Sequence, residues 1–99
     1  MELTVVDDRE RSQFEARTED GQVAGYVEYR RHEDRVTLVH TEVNEGFQGK
    51  GVGSRLARGT FAILQPETIR VRNACPFLQR FIDRHPGEYD WVEAVDPQD

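Results

Sequence analysis

Three glycines at alternate positions surround the chain's single lysine in Gln48-Gly49-Lys50-Gly51-Val52-Gly53. A glycine-rich loop between a strand and a helix suits phosphate chemistry. The free N–H groups of a helix N-terminus attract anions, and glycine lets a ligand approach the backbone. Spacing narrows the choice of ligand. A nucleotide-triphosphate loop needs Gly-Lys-Ser or Gly-Lys-Thr four residues after a first glycine, and here Gly46 leads to Gly51-Val52. A dinucleotide fingerprint needs a Gly or Ala three places after its second glycine, and those places hold Ser54 or Leu56. Both readings fail.

Two further constellations carry possible chemistry. Cys75 precedes Pro76 at the expected start of a helix, where the helix N-terminus favours a thiolate. It reads equally as a nucleophile, a relay or group near a reacting sulfur, or a small buried residue filling a corner. His40 and Glu42 sit two apart in an expected strand and are candidate bases, or polar residues closing an apolar face. Alternation assigns them to the face of Val36 and Leu38, with Thr37, Val39, Thr41 and Val43 on the other.

The elements that must position these groups follow from periodicity. Leu3, Val5 and Val6 mark a first strand, and Gln13 to Thr18 a second. Asp20-Gly21 is a hairpin signal. A third strand is expected over Gln22 to Arg31, a turn at His32-Glu33-Asp34, and a fourth strand over Arg35 to Val43. Asn44 to Lys50 is loop. From about Gly51 to Leu64 the period becomes helical, with Val52, Leu56 and Ile63 in the stripe and Ala57 and Leu64 beside it. Gly59 weakens that helix by about 1 kcal/mol relative to Ala, and Gln65-Pro66 ends it. Thr68 to Arg72 is a short fifth strand. A second helix begins at Pro76, with Phe77, Leu78, Phe81 and Ile82 on one face, and Pro86 closes it. Arg80, Arg84 and His85 complement its C-terminal dipole. Tyr89, Trp91 and Val92 form a last strand or turn. The expected fold is α+β: a mixed, mostly antiparallel sheet in the order β-β-β-β-α-β-α, with the glycine loop between the fourth strand and the first helix. Residues 1–95 form a single domain, and 96–99 a polar tail.

Bulk properties bound the function. A chain of 99 residues has room for one modest core. Its net charge of −6 argues against nucleic acid and mildly favours cationic substrates such as amines. Within that acidic chain, 46–66 carries no acidic residue but holds Lys50, Arg55 and Arg58, a basic island suited to a small polyanion. One cysteine excludes an internal disulfide, and three scattered histidines give no zinc-site spacing, so no metal is expected. No apolar run is long enough to span a membrane, and no secretory signal is visible, so a cytoplasmic location is expected. The residues do not fix an oligomeric state.

The loop resembles the acetyl-CoA loop of the GNAT superfamily of N-acetyltransferases, whose pattern is Gln or Arg, two residues, Gly, one residue, then Gly or Ala. Here it reads Gln48, Gly51, Gly53. Val43 stands where that family places an apolar residue ending its fourth strand. His40-Thr41-Glu42-Val43, Cys75-Pro76-Phe77 and Arg84-His85-Pro86 look like the family's short, single-domain branch, and the resemblance covers nearly the whole chain. The chain departs from the family in lacking a proline near Asn44-Glu45.

The resemblance implies acetyl-CoA as co-substrate and an amine acceptor, either a small molecule or a protein. Backbone N–H groups from Gly49 through Lys50, Gly51, Val52 and Gly53 to Ser54 would hold the pyrophosphate, next to Gln48. Thr41 and Val43 would lie along the pantetheine arm, and the Val43 N–H would polarise the thioester. Lys50, Arg55 or Arg58 would meet phosphates. Cys75, Glu42 and His40 are the catalytic candidates. Asn73 would bond the pantetheine or merely close its strand. The expected activity is acetyl-CoA-dependent N-acetyl transfer. The alternative is an acyl-CoA-binding module with weak or no turnover.

Overall fold

The computed structural model describes residues 1–96. Four strands, β1 (Thr4–Asp8), β2 (Gln13–Arg17), β3 (Val23–His32) and β4 (Arg35–Val43), are followed by helix α1 (Val52–Leu64). Then come β5 (Arg70–Asn73), helix α2 (Pro76–Asp83) and β6 (Val92–Ala94). The expected α+β class and element order are present, with β6 as the additional last strand. Of the expected polar tail, 97–99 lie outside the described residues.

All six strands form one sheet in chain order. β1 to β4 are antiparallel hairpin neighbours. β4–β5 and β5–β6 are parallel, each joined by a crossover helix. Both helices lie on the same face of the sheet. α1 spans β1 to β4, α2 packs beside it against β4, and the rings of Phe61 and Phe81 lie 6.3 Å apart between the helices. The core between helices and sheet holds Phe14, Val27, Val36, Leu38, Leu56 and Phe61, each at most 1% exposed. Burial of such side chains is the dominant stabilising term in a domain of this size.

The α1 stripe is rotated from the expected one. Thr60 and Phe61 are buried while Ile63 sits half-buried at the margin. The cause is an aromatic cluster: the Phe61 ring lies 4.7 Å from Tyr89 and 5.9 Å, edge-on, from Trp91. Gly59 has a packing reason, because a Cβ there would stand 2.3 Å from Cγ2 of Val5. The helix can cross β1 closely only without a side chain at that point.

Several boundaries shift. Leu3 and Gln22 lie outside β1 and β3, and α2 ends at Asp83 rather than running to His85. β5 starts at Arg70, not Thr68, because its ladder begins opposite Arg35, where the Arg70 N–H donates to the Asp34 carbonyl at 3.0 Å.

The largest correction concerns β4. Val27 pairs with Thr41 and Glu28 with His40, but Tyr29 pairs with Leu38, so Val39 is an extra residue in a β-bulge. The bulge inverts the alternation. Before it, Val36 and Leu38 face the core; after it, Thr41 and Val43 take that face, and His40 and Glu42 turn to the opposite one. His40 and Glu42 therefore do not share the face of Val36 and Leu38.

Candidate functional site

β4 has a neighbour on both edges only as far as Leu38, which pairs with Asn73 of β5 and whose carbonyl accepts the Ala74 N–H at 2.8 Å. Beyond this point β5 turns into α2, and the edge of β4 from Val39 to Val43 lies open. The phase of its free groups is fixed. The Asn44 N–H donates to the Ala24 carbonyl at 2.8 Å, so beyond the Val39 bulge the even-numbered residues bond to β3. By the alternation of antiparallel pairs, the N–H and C=O groups of Thr41 and Val43 point away from β3 into the gap.

At the end of this edge stands the glycine loop. Asn44 ties its base down, donating from Nδ2 to the Val23 carbonyl at 2.7 Å and accepting the Phe47 N–H on its own carbonyl at 3.0 Å. Gly49 and Gly51 have φ of 76° and 75°, a left-handed conformation that disfavours other residues. Gly51 caps α1 without a side-chain hydrogen bond, and no acidic residue lies in the first turn. The first N–H groups of α1 are therefore open to an anion and not countered by a carboxylate. A cleft of about 260 Å³ runs from Val43 past Phe47–Gly49 and Gly51–Ser54 to Phe77. Gly53 is required by that wall, since a Cβ there would stand 2.6 Å from the Phe77 ring.

From Val43 the same face of β4 leads two residues back to Thr41, whose Oγ1 lies 3.3 Å from Cys75 Sγ. Cys75 is 2% exposed and caps α2 in extended conformation with no side-chain cap of its own. Its turn is held by Asn73, which accepts the Cys75 N–H on Oδ1 at 3.1 Å and donates from Nδ2 to the Cys75 carbonyl at 3.1 Å.

The sequence-derived candidates thus separate. Val43, Gln48, Gly49 and Gly51 to Ser54 line one cleft, and Thr41, two residues along β4 from Val43, lies against Cys75. Asn73 is 2% exposed and its amide is committed to the turn. Lys50 is exposed at the end of the loop. Arg55 donates to the Met1 carbonyl, away from the cleft. Arg58 turns to α2, where it lies 3.1 Å from His85 Nε2 and over the Phe81 ring. His40 and Glu42 pair with each other at 2.9 Å on the face opposite Cys75. Phe47 in the cleft wall and Asn44 at its base were not singled out as site residues from the sequence. Phe77 was named on the apolar face of α2 and in Cys75-Pro76-Phe77, but not as part of the cleft wall.

Residues 13–92 match the family described as GCN5-related N-acetyl-transferase. The chain belongs to this family. It is also similar to the proteins named NATD1. The one from Bos taurus is 28% identical over 96% of this chain and 84% of its own length. The one from Xenopus tropicalis is 27% identical over 96% and 87%, and the one from Homo sapiens 26% identical over 96% and 84%. As a member of the family, this chain carries an acetyltransferase domain with a mixed sheet and two helices.

Proposed function

We propose that the protein transfers an acetyl group from coenzyme A to an amine, with Cys75 as the transient acyl acceptor. The observation that carries this reading is the placement of two groups on the free edge of β4: the uncapped N-terminus of α1 at the cleft that Val43 lines, and the Cys75 thiol 3.3 Å from the Thr41 hydroxyl two residues back. The residues present fit an acyl-CoA. The N–H groups from Gly49 to Ser54 hold the pyrophosphate, with Lys50 near the phosphates and Gln48 at the loop. The outward Thr41 N–H and the C=O groups of Thr41 and Val43 bond the pantetheine arm, and the Val43 N–H polarises the thioester carbonyl.

The bound thioester supplies an activated acyl group. Cys75 is placed to receive it, at the N-cap of α2 with its Sγ 3.3 Å from the Thr41 hydroxyl. A bond forms between Sγ and the acyl carbon, the bond to the coenzyme sulfur breaks, and the thiol proton of Cys75 leaves with that sulfur. Arg55 and Asn73 serve structure in this reading, and His40 and Glu42 do not act on Cys75 directly.

Two measurements test it. Titration with acetyl-CoA should shift backbone amide signals from Val43 to Arg55 and from Asn73 to Phe77. Intact-protein mass should rise by one acetyl group, and Cys75→Ala should abolish that rise while leaving the shifts at the loop. Absence of shifts at saturating acetyl-CoA refutes the reading. A second reading, an acyl-CoA-binding module with weak or no turnover, is favoured by one observation: the His40–Glu42 pair faces away from Cys75. Shifts without acylation, and without any product in a screen of amines, select it.

A further inference from the structure

The turn that carries Cys75 borders a second hollow, of about 360 Å³, on the side facing β6. It lies between the turn Asn73–Cys75, the face of α2 bearing Gln79 and Arg80, and Ala94 and Val95. Its volume falls in the range of small-molecule sites. The walls are almost wholly apolar. The two amides on them are already committed. Asn73 is bonded within the turn and donates to Gln79 Oε1 at 3.2 Å, and Gln79 Nε2 donates to Asp83 at 3.1 Å. One charge remains at the rim. Arg80 is exposed, and no carboxylate among the described residues pairs with it.

Pro76, Gln79 and Arg80 follow i, i+3, i+4 spacing and so share one side of α2. Cys75 caps the same helix. Arg80 stands five positions further along, about 7.5 Å of helical rise.

We infer that this cleft is the acceptor subsite, and that the acceptor is an amine with a carboxylate at the far end of an apolar chain. The inference rests on the acyl-transfer reading above and gives it a substrate class. Arg80 pairs with the carboxylate in the two-pronged geometry a guanidinium favours. The methylenes lie against Ala94 and Val95, and the nitrogen reaches the turn at Cys75. An ammonium group entering apolar surroundings is pushed towards its neutral form, so one proton leaves to solvent without a dedicated base. The nitrogen lone pair then attacks the acyl carbon on Cys75. The C–N bond forms, the C–Sγ bond breaks, and the second amine proton passes to Sγ. The products are the amide and the free thiol. Donor and acceptor thus approach Cys75 from opposite sides of its turn.

The test uses the full chain and three probes: ε-aminohexanoate, hexylamine and hexamethylenediamine. With ε-aminohexanoate alone, amide signals of Gln79, Arg80, Ala94 and Val95 should shift. Arg80→Glu should weaken that binding at least about tenfold, while Arg80→Lys keeps most of it. With acetyl-CoA present, kcat/KM for ε-aminohexanoate should exceed that for hexylamine by about tenfold, and Arg80→Glu should turn the preference towards the diamine. Ala94→Phe, at an exposed position, should fill the cleft and slow acceptor use while leaving acylation of Cys75 intact. If Cys75 is acylated but the three amines react equally, or Arg80→Glu changes nothing, the inference is overturned and the acyl-transfer reading stands. If the loop amides ignore acetyl-CoA, the acyl-transfer reading falls and the acceptor role falls with it, whatever the cleft binds.

Discussion

The two ends of β4 are built from the same strand and differ in what surrounds them. From Arg35 to Leu38 the strand has β3 on one side and β5 on the other, and Val36 and Leu38 are fully buried beneath the helices. From Val39 to Val43 it keeps β3 but loses β5, and its core-facing positions, Thr41 and Val43, are only half-buried. The closed end uses its backbone groups for the sheet. The open end holds those of Thr41 and Val43 in reserve, at the place where the glycine loop and Cys75 converge. The Val39 bulge lies at the junction. It ends one packing pattern and starts another, and the pairing to β3 resumes on either side of it. Rigid support and a free edge are thus obtained within nine residues.

The comparison breaks if the closed end tolerates change as readily as the open one. Leu38→Ala should cost about 2–5 kcal/mol through lost burial and a cavity, read from chemical denaturation. An effect under about 1 kcal/mol would show that the closed end is not the stabilising half. Gly53→Ala tests the wall shared by loop and α2. Its new methyl collides with the Phe77 ring, so stability should fall by about 1–3 kcal/mol. Acetyl-CoA should also bind at least about tenfold more weakly, since Phe77 would be driven into the cleft (calorimetric titration). Thr41→Val removes the hydroxyl next to Cys75 at the open end. Stability should change by less than about 1 kcal/mol, while the rate of Cys75 acylation falls severalfold.

The smallest effect at neutral pH becomes visible only in alkali. Tyr29 stands opposite Leu38 in the closed end, and its hydroxyl donates to Asp7 at 2.6 Å. Burial, and then the Asp7 hydrogen bond, push its pKa up to about 12. The folded state therefore prefers the protonated phenol. Its contribution is complete below the ordinary tyrosine value near 10 and is lost as pH rises from there through about 12. A phenolate absorbance titration should show one late-titrating tyrosine, and Tyr29→Phe should remove it. Alkaline unfolding of the parent protein should steepen across that window and be milder in the variant.

Much of this arrangement was legible before the fold was known. The hairpins followed from alternation and from Asp20-Gly21, and the glycine loop from spacing that fits neither of two common nucleotide loops and resembles the loop of the GNAT superfamily. The bulge escaped because Val36, Leu38, His40 and Glu42 look like an unbroken alternation. The signal was their polarity: the even positions turn from apolar to polar after Leu38, while Val43 keeps an apolar residue among the odd ones. The rotation of α1 towards Phe61 escaped for a different reason. It depends on Tyr89 and Trp91, which lie more than 25 residues further along and meet that ring only in the folded chain. The cleft beside Arg80 was hidden too, because it needs β6, a strand of three residues whose pairing to β5 is long-range.

The contact of Gly59 with Val5 also bears on how the chain comes to be folded during synthesis. The four hairpin strands emerge from the ribosome first and can pair as soon as Val43 is free. Their apolar face stays bare until α1 follows, since the helix that covers β1 is fixed there by a glycine more than 50 residues later. Until then the nascent chain presents an uncovered sheet, the kind of surface on which aggregation and chaperone capture compete with folding. A growing chain halted before Leu64 should thus be bound by chaperones, and one carried past α2 released from them.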